Sequence, residues 1–211
     1  MSSIGWVFGV LRQNGIDTKG MSAEEAFDEL EKLRQQERDN HSNGSNDKVK
    51  LHNKLTNKEW ENSLTPQQKQ SARDYSSFGQ VWNRNLWYGQ QIDNESIKLF
   101  DSLIESYELK EPITVYRNMP TNRSSDEDFI SLGYVSTSID KEKTIKDASK
   151  GYKTVHIYEV SAGKGKGAYI NSMVAPNYKD VEYEFVLKRG TKCTKLDKYE
   201  DNGVTYIKWR V

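Results

Sequence analysis

An apolar run near the end of the chain reads Asp180-Val181-Glu182-Tyr183-Glu184-Phe185-Val186-Leu187 and carries two carboxylates two residues apart. Its Val, Tyr and Phe content predicts a β-strand. Read with a period of two, Glu182 and Glu184 share one face, while Tyr183 and Phe185 share the other. At ~3.3 Å of rise per residue the two acidic Cα atoms would lie roughly 6.6 Å apart. We therefore expect both carboxylates to reach a single bound molecule.

In the rest of the chain, the spacing of apolar residues changes at Pro112. Beyond Pro112, strands are predicted at residues 113–116, 134–139, 154–160 and 205–209, each bounded by turn residues. Before Pro112 the apolar spacing is helical, with a helix start at Thr65-Pro66 and a further helix over residues 95–107. Helices followed by strands predict an α+β fold.

The first 50 residues predict a helical N-terminal appendage that ends in a linker, ahead of a main domain over residues 51–211. Ile4, Val7 and Leu11 keep helical spacing, and Ser22 with Glu25 has the pattern of a capping box. Residues 40–47 are all small or polar, so we expect a flexible linker there.

Composition narrows the class of protein. The 211 residues include 31 Lys and Arg and 31 Asp and Glu, a formal charge of zero, which argues against nucleic acid as the main partner. No run approaches 18 apolar residues, so we expect no membrane span. Cys193 is the single cysteine, so no disulfide can form within the chain.

The start of the chain bears on localisation. Residues 4–11 lack the basic region and the cleavage site of a signal peptide. We expect secretion, or delivery into a target cell, by a route without a cleavable signal peptide. A cytoplasmic protein, encoded by a phage or by the host, is the alternative.

Three predicted strands carry polar residues that a core strand does not need. In chain order they are Val115-Tyr116-Arg117-Asn118, Gly133-Tyr134-Val135-Ser136-Thr137-Ser138 and Glu182-Tyr183-Glu184. This order resembles the R…S-T-S…E-x-E signature of the mono-ADP-ribosyltransferases, more narrowly of the exoenzyme-type enzymes and the binary actin-modifying toxins. The resemblance extends from about residue 56 to residue 211.

Three further segments are similar to the same family. They are Asn83-Arg84-Asn85-Leu86, Gly165-Lys166-Gly167-Ala168-Tyr169-Ile170 and Phe185-Val186-Leu187-Lys188-Arg189-Gly190-Thr191-Lys192. The resemblance implies two mainly antiparallel β-sheets around an NAD cleft, with helices at the N-terminus. It also implies transfer of ADP-ribose from NAD, as substrate, to a protein acceptor.

The two acids suit that chemistry. Cleavage of the nicotinamide bond produces an oxocarbenium-like ribose, which a fixed carboxylate stabilises more in the transition state than in the ground state. Glu184 is the candidate for this role. Glu182 would lie on the acceptor side, where a carboxylate can orient an arginine and take its proton. In the family E-x-E accompanies arginine acceptors, so the resemblance implies an arginine acceptor here, with Tyr178 as a further acceptor contact.

The remaining site residues concern NAD. The guanidinium of Arg117 can grip two pyrophosphate oxygens, which a lysine cannot reproduce. By the resemblance Ser136 holds the catalytic glutamate, and Thr137 and Ser138 shape the nicotinamide pocket. The resemblance also implies NAD contacts by Asn83 and Asn118.

Some residues depart from the family pattern. Tyr178 stands four residues before Glu182, where the family often has an aromatic three residues before it, and residues 140–153 contain no Phe to stack on nicotinamide. Lys146 or Lys150 is a candidate phosphate contact.

Other activities are left open by these residues. An NAD glycohydrolase would use water as the acceptor, and a related transferase would modify nucleic acid. An inactive binding module of the same fold is the alternative outside enzymes. His41, His52, His156 and Cys193 show no ligand-like spacing, so we expect no metal site. Residues 1–50 are a candidate docking or delivery segment for a partner.

Overall fold

A computed structural model describes residues 4–39, 44–90, 94–121, 126–174 and 183–211. The chain forms two compact units, Met1–Asp47 and Lys48–Val211. Within the described ranges, no helix has the length and apolar character needed to cross a membrane.

The smaller unit contains α1 (Ile4–Gln13) and α2 (Ala23–Asp39). Its core consists of apolar side chains from the two helices, Val7, Val10, Leu11, Ala26 and Leu30. The predicted capping box precedes α2: the backbone N–H of Glu25 donates to Ser22 Oγ at 3.2 Å, and the N–H of Ser22 donates to the Glu25 carboxylate at 2.7 Å.

The segment after α2 differs from the prediction. Helix α3 runs from Gly44 to Leu55, so residues 44–47 are helical where a flexible linker was expected, and residues 40–43 lie outside the described residues. Leu55 is buried in the core of the larger unit and Leu51 packs against it. This apolar side, together with Asp47 in the first turn, supports a helix whose start is polar.

The larger unit continues with helices and then strands. The helices are α4 (Lys58–Ser63), α5 (Pro66–Trp87), α6 (Glu95–Ser106), α7 (Lys141–Asp147), which is followed by a π-helical turn (Ala148–Tyr152), and α8 (Asn171–Val174). The strands are β1 (Glu108–Leu109), β2 (Ile113–Pro120), β3 (Phe129–Ile130), β4 (Val135–Ser138), β5 (Lys153–Val160), β6 (Gly163–Lys164), β7 (Gly167–Tyr169), β8 (Glu184–Leu187), β9 (Lys192–Asp201) and β10 (Val204–Arg210).

The order and pairing of the strands leave an opening between β2 and β4. Eight of them form the order β3-β9-β10-β5-β2-β4-β8-β7, in which β5 and β10 are the parallel pair, and β1 pairs with β6. β2 pairs with β5 along eight residues, but it meets β4 only at Tyr116 and Ser138. Five strands on one side and three on the other are thus joined at one residue pair. The α+β prediction with mainly antiparallel sheets is confirmed.

An aromatic cluster fixes α5 and α6 against the three-stranded side. The ring of Tyr75 stacks on Phe100 with centroids 4.5 Å apart, and Tyr134 meets both rings edge-on. The start of α5 is capped as predicted, because Thr65 Oγ1 accepts from the N–H of Gln68 and the Gln68 side chain accepts from the N–H of Thr65. The helix is therefore held at its first turn and along its buried face.

Candidate active site

A cleft of about 500 Å³ opens where β2 and β4 separate. Its walls come from β2, β4, α7, the π-helical turn and the first residue of β8. The lining residues are Tyr116, Arg117, Asn118, Ser136, Thr137, Ser138, Lys143, Thr144, Asp147, Lys150, Gly151, Tyr152 and Glu184.

Six of the residues singled out from the sequence meet in this cleft: Arg117, Asn118, Ser136, Thr137, Ser138 and Glu184. Asn83 is not among its lining residues. Glu182 and Tyr178 lie outside the described residues. Lys150 lines the cleft, whereas Lys146 does not.

Glu184 opens β8 and is half-buried. Its Cα pairs with that of Ser138 across the β4–β8 ladder, and the N–H of Ile170 donates to its carbonyl at 3.2 Å. The strand does not continue backward, because Tyr183 has φ of 50°. The predicted strand included Tyr183, which instead has a left-handed backbone; Glu182 lies outside the described residues, so its alignment with Glu184 stays a prediction. Beyond Glu184, Phe185, Val186 and Leu187 are all fully buried, so the strand is covered on both faces.

Ser136 is held by a buried tyrosine that the sequence pattern did not single out. The hydroxyls of Tyr75 and Ser136 are 2.7 Å apart, and Asn83 Nδ2 donates to the Tyr75 hydroxyl at 3.5 Å. Burial, followed by the negative charge of Glu184, raises the pKa of Tyr75 to about 12. Tyr75 is therefore a neutral hydroxyl at physiological pH.

Asn83 supports the site from behind. Its Oδ1 accepts from the backbone N–H of Tyr134 at 2.8 Å, in the turn that leads into β4. At Gly133 a Cβ atom would come within 2.7 Å of Asn83 Oδ1, so the close approach of the turn requires glycine. Asn83 thus anchors the strand that carries Ser136 and Ser138.

Arg117 supplies the cation on β2. Its Nη1 donates to the carbonyl of Ser136 at 3.4 Å, which draws the guanidinium toward β4 at the point where the two strands part. Its Cα partner on β5 is His156, which is 2% exposed. Burial, with a smaller contribution from Arg117, lowers the pKa of His156 to about 4, so the histidine beside the guanidinium is neutral at pH 7.

One wall of the cleft consists of α7 and the π-helical turn, two elements that were not predicted. Asp140 caps α7 by accepting from the N–H of Lys143, and the helix passes into the π-helical turn. These elements bring Lys143, Lys150 and Tyr152 to the cleft, and Tyr152 keeps 48% of its surface exposed. The sequence signal was the lysine-rich stretch after Asp140, and Tyr152 provides a ring in the segment where no Phe occurs.

The described residues also bear on a metal site and on a reactive cysteine. Among them, no group of three or more His, Cys, Asp or Glu side chains is arranged to hold a metal ion. Cys193 is fully buried, and burial raises the pKa of its thiol to about 12, so it stays protonated and is a poor nucleophile.

Comparison with known proteins agrees with the resemblance found in the sequence. The sequence profile of the ADP-ribosyltransferase exoenzyme family matches residues 49–124, a range that includes Asn83 and Arg117. Ser136 and Glu184 follow that range. No curated protein shows a significant sequence match to the chain.

Several solved structures share the fold. Plx2a, an ADP-ribosyltransferase toxin from Paenibacillus larvae, superposes with a TM-score of 0.64 over 79% of this chain and 95% of its own, at 17% identity. An ADP-ribosyltransferase from Clostridium botulinum gives 0.57 over 70% and 87%, also at 17% identity. Exoenzyme S from Pseudomonas aeruginosa, solved with human 14-3-3 protein beta and carba-NAD, gives 0.53 over 70% and 74%, at 21% identity.

Proposed function

We propose that this chain, which resembles the ADP-ribosyltransferase exoenzymes in sequence and in fold, is an NAD-dependent mono-ADP-ribosyltransferase that modifies an arginine of a protein. The observation that carries the proposal is the shared cleft of Arg117, Ser136 and Glu184, which lie far apart in sequence. The family match supports ADP-ribosyl transfer as the activity, and the arginine acceptor rests on Glu182.

The cationic wall suits the pyrophosphate of NAD. Arg117 offers a planar pair of N–H donors, and Lys143 and Lys150 add two charges from α7 and the π-helical turn. Tyr152 presents a half-exposed ring in the same part of the cleft lining, which can stack on a planar heterocycle. We assign the phosphates to this end of the cleft and the nicotinamide ribose to the end with Ser136 and Glu184.

The polar chain behind Ser136 orients the acid. Asn83 donates to the Tyr75 hydroxyl, and if that hydroxyl donates in turn to Ser136, the Ser136 proton is left to donate to the Glu184 carboxylate. A carboxylate held in this way faces the ribose as positive charge develops on it.

The bond changes are those of a substitution at the ribose carbon. The bond to nicotinamide breaks and its electron pair leaves with the ring nitrogen, which becomes neutral. The acceptor guanidinium forms the new carbon–nitrogen bond and gives its proton to Glu182. Nicotinamide release and ADP-ribosylation of the acceptor are then equal in amount, unless water takes the place of the acceptor.

Glu184→Gln tests the assignment. Removal of the negative charge should lower nicotinamide release from NAD by about 10²- to 10³-fold, because the charge acts mainly in the transition state. Glu182→Gln should lower transfer of labelled ADP-ribose to an arginine-rich protein while some NAD hydrolysis survives. Nicotinamide is measured by chromatography and transfer by incorporation of the label.

Glu159→Gln is the matched control, since Glu159 is an exposed strand residue outside the cleft lining. It should keep wild-type rates in both assays. Full activity of Glu184→Gln would refute the catalytic role. Hydrolysis without transfer to any protein would favour a glycohydrolase, and label in nucleic acid would favour the nucleic-acid-directed alternative.

The acceptor protein and the site of action are part of the same proposal. Plx2a is a toxin by name, and exoenzyme S was solved with a protein partner, which supports a protein acceptor in a target cell. We propose delivery into that cell, with the unit Met1–Asp47, most of the segment expected from the sequence, as the docking or delivery segment. Mass spectrometry of a cell lysate treated with the enzyme and NAD should identify the modified protein and residue.

A further inference from the structure

Tyr183 stands directly before Glu184 and has an unusual backbone. Its φ of 50° lies in the left-handed region, which is sparsely populated by residues that carry a side chain. Its backbone is bonded on both sides: its N–H donates to Asn171 Oδ1 at 2.9 Å, and its carbonyl accepts from the N–H of Ile139 at 3.1 Å. A conformation of this kind persists only where its surroundings enforce it.

Two residues of α3 contact the ring of Tyr183. The Lys48 ammonium lies 5.1 Å from the ring centroid, within the range of a cation–π contact. The His52 ring meets it edge-on with centroids 5.5 Å apart, and His52 Nδ1 is 2.7 Å from the Tyr169 hydroxyl. The ring is therefore gripped by a helix that does not line the cleft.

Lys48 also contacts Asp140, the residue that caps α7. Its ammonium is 2.7 Å from Asp140 Oδ2, while Asp140 Oδ1 accepts from the N–H of Lys143 and so caps α7. The Lys48 and Asp140 side chains are 25% and 9% exposed, so the ion pair is largely shielded from water. The hydrogen bond to Asp140 raises the pKa of Lys48, which keeps the ammonium charged.

We propose that Lys48 and Tyr183 are positioning residues for the catalytic carboxylate. Lys48 joins the residue that precedes Glu184 to the cap of the helix that carries Lys143. It thereby fixes the spacing between the acid on one wall of the cleft and the cations on the other. The role as a catalytic aid rests on the proposed function, whereas the mechanical coupling of α3 to β8 does not depend on it.

Two pairs of variants separate this role from general stability. Lys48→Met keeps the length of the side chain but removes the charge, and Lys48→Arg restores a cation that can reach a ring and a carboxylate. Tyr183→Leu removes the ring, and Tyr183→Phe keeps it. Lys50→Met is the control, since Lys50 is an exposed lysine on the same helix.

Steady-state nicotinamide release is the first measurement. Lys48→Met and Tyr183→Leu should each lower kcat by about 10- to 100-fold, as expected when a reacting group is slightly misplaced, with KM for NAD changed by less than about twofold. The arginine and phenylalanine variants and Lys50→Met should retain at least half of the wild-type kcat. The double variant should lose less than the product of the two single losses, because both single variants break the same contact between Lys48 and the Tyr183 ring.

Hydrogen exchange of the Ile139 amide, followed by NMR on the full chain, is the second measurement. This amide donates to the Tyr183 carbonyl and should exchange faster in Lys48→Met and Tyr183→Leu but not in Lys50→Met. Wild-type kcat in Lys48→Met, additive losses in the double variant or unchanged exchange would overturn the inference. An inactive wild-type protein whose variants still show faster exchange would refute the proposed function alone.

Discussion

At the scale of single residues, the hydroxyl of Tyr75 can be removed without changing the ring, so its effect on catalysis can be measured separately. Tyr75→Phe keeps the stack on Phe100 and removes the hydrogen bond to Ser136. Without it the Ser136 hydroxyl is no longer oriented, so kcat for nicotinamide release should fall by about tenfold, equivalent to ~1.4 kcal/mol in the barrier. The free energy of unfolding should fall by about 1 kcal/mol. Steady-state kinetics and urea denaturation measure the two effects.

Tyr107→Phe is the matched control. The Tyr107 hydroxyl is buried and donates to the carbonyl of Leu55 at 2.9 Å, and Tyr107 does not line the cleft. This variant should lose a similar free energy of unfolding and keep the wild-type kcat. Equal kcat losses in the two variants would mean that Tyr75 acts only through stability.

At the scale of elements, strongly patterned segments were predictable. The five strands expected after Pro112 all exist, as do α1, α2, α5 and α6, because each has a clear apolar period or a recognisable cap. β9 was missed because Lys192–Asp201 is mostly charged or polar, and its strand character depends on pairing with β3 and β10. Helix α7 was missed because a helix of seven residues is too short to show a recognisable apolar period.

The same contrast applies to the candidate site. Polar residues within strands, such as Arg117 and Ser136, were predictable because polar side chains in apolar strands are conspicuous. Tyr75 was not predictable. A buried aromatic residue on a helix gives the same sequence pattern whether or not its hydroxyl contacts a functional residue. The predicted strand also included Tyr183, whose left-handed backbone no periodicity reveals.

His156 makes strand β5 sensitive to acid. Its Nδ1 accepts from Trp209 Nε1 at 2.9 Å and its ring stacks on Trp209, so protonation would lose an acceptor in a buried site. Its pKa is lowered from 6.5 to about 4 on folding. A lowered histidine pKa means that the unfolded chain binds the proton more readily between these values, so stability present above pH 6.5 is lost as the pH falls toward 4.

The size of this loss can be measured. At 1.36 kcal/mol for each pKa unit, the difference between 6.5 and about 4 corresponds to about 3 kcal/mol. Urea denaturation of wild-type protein and of His156→Gln, at pH 7 and at pH 4, should show a loss smaller by about this amount in the variant. The glutamine amide of the variant can still accept the hydrogen bond from Trp209 but does not titrate. Equal losses in the two proteins would assign the acid sensitivity to the carboxylates instead.

At the scale of the whole molecule, the two compact units have cores of very different size. The buried apolar residues of Met1–Asp47 come from two helices, whereas those of Lys48–Val211 span helices and both sides of the sheet. A unit of this length is close to the size below which a hydrophobic core alone gives little stability. The amides of α1 and α2 should therefore exchange with solvent faster than those of β5 and β10.

Leu11→Ala tests whether the small core stabilises only its own unit. Leu11 is fully buried, and its truncation should lower the free energy of unfolding of this unit by about 2–5 kcal/mol. We expect this loss to unfold a core built from only two helices. Hydrogen exchange read by mass spectrometry should then show α1 and α2 unprotected, with the protection of β5 unchanged. NAD should still raise the melting temperature of the remaining unit, because a ligand stabilises whichever unit binds it. If β5 lost protection together with α1, the two units would unfold as one, and residues 1–47 would be part of the catalytic fold rather than a separate delivery segment.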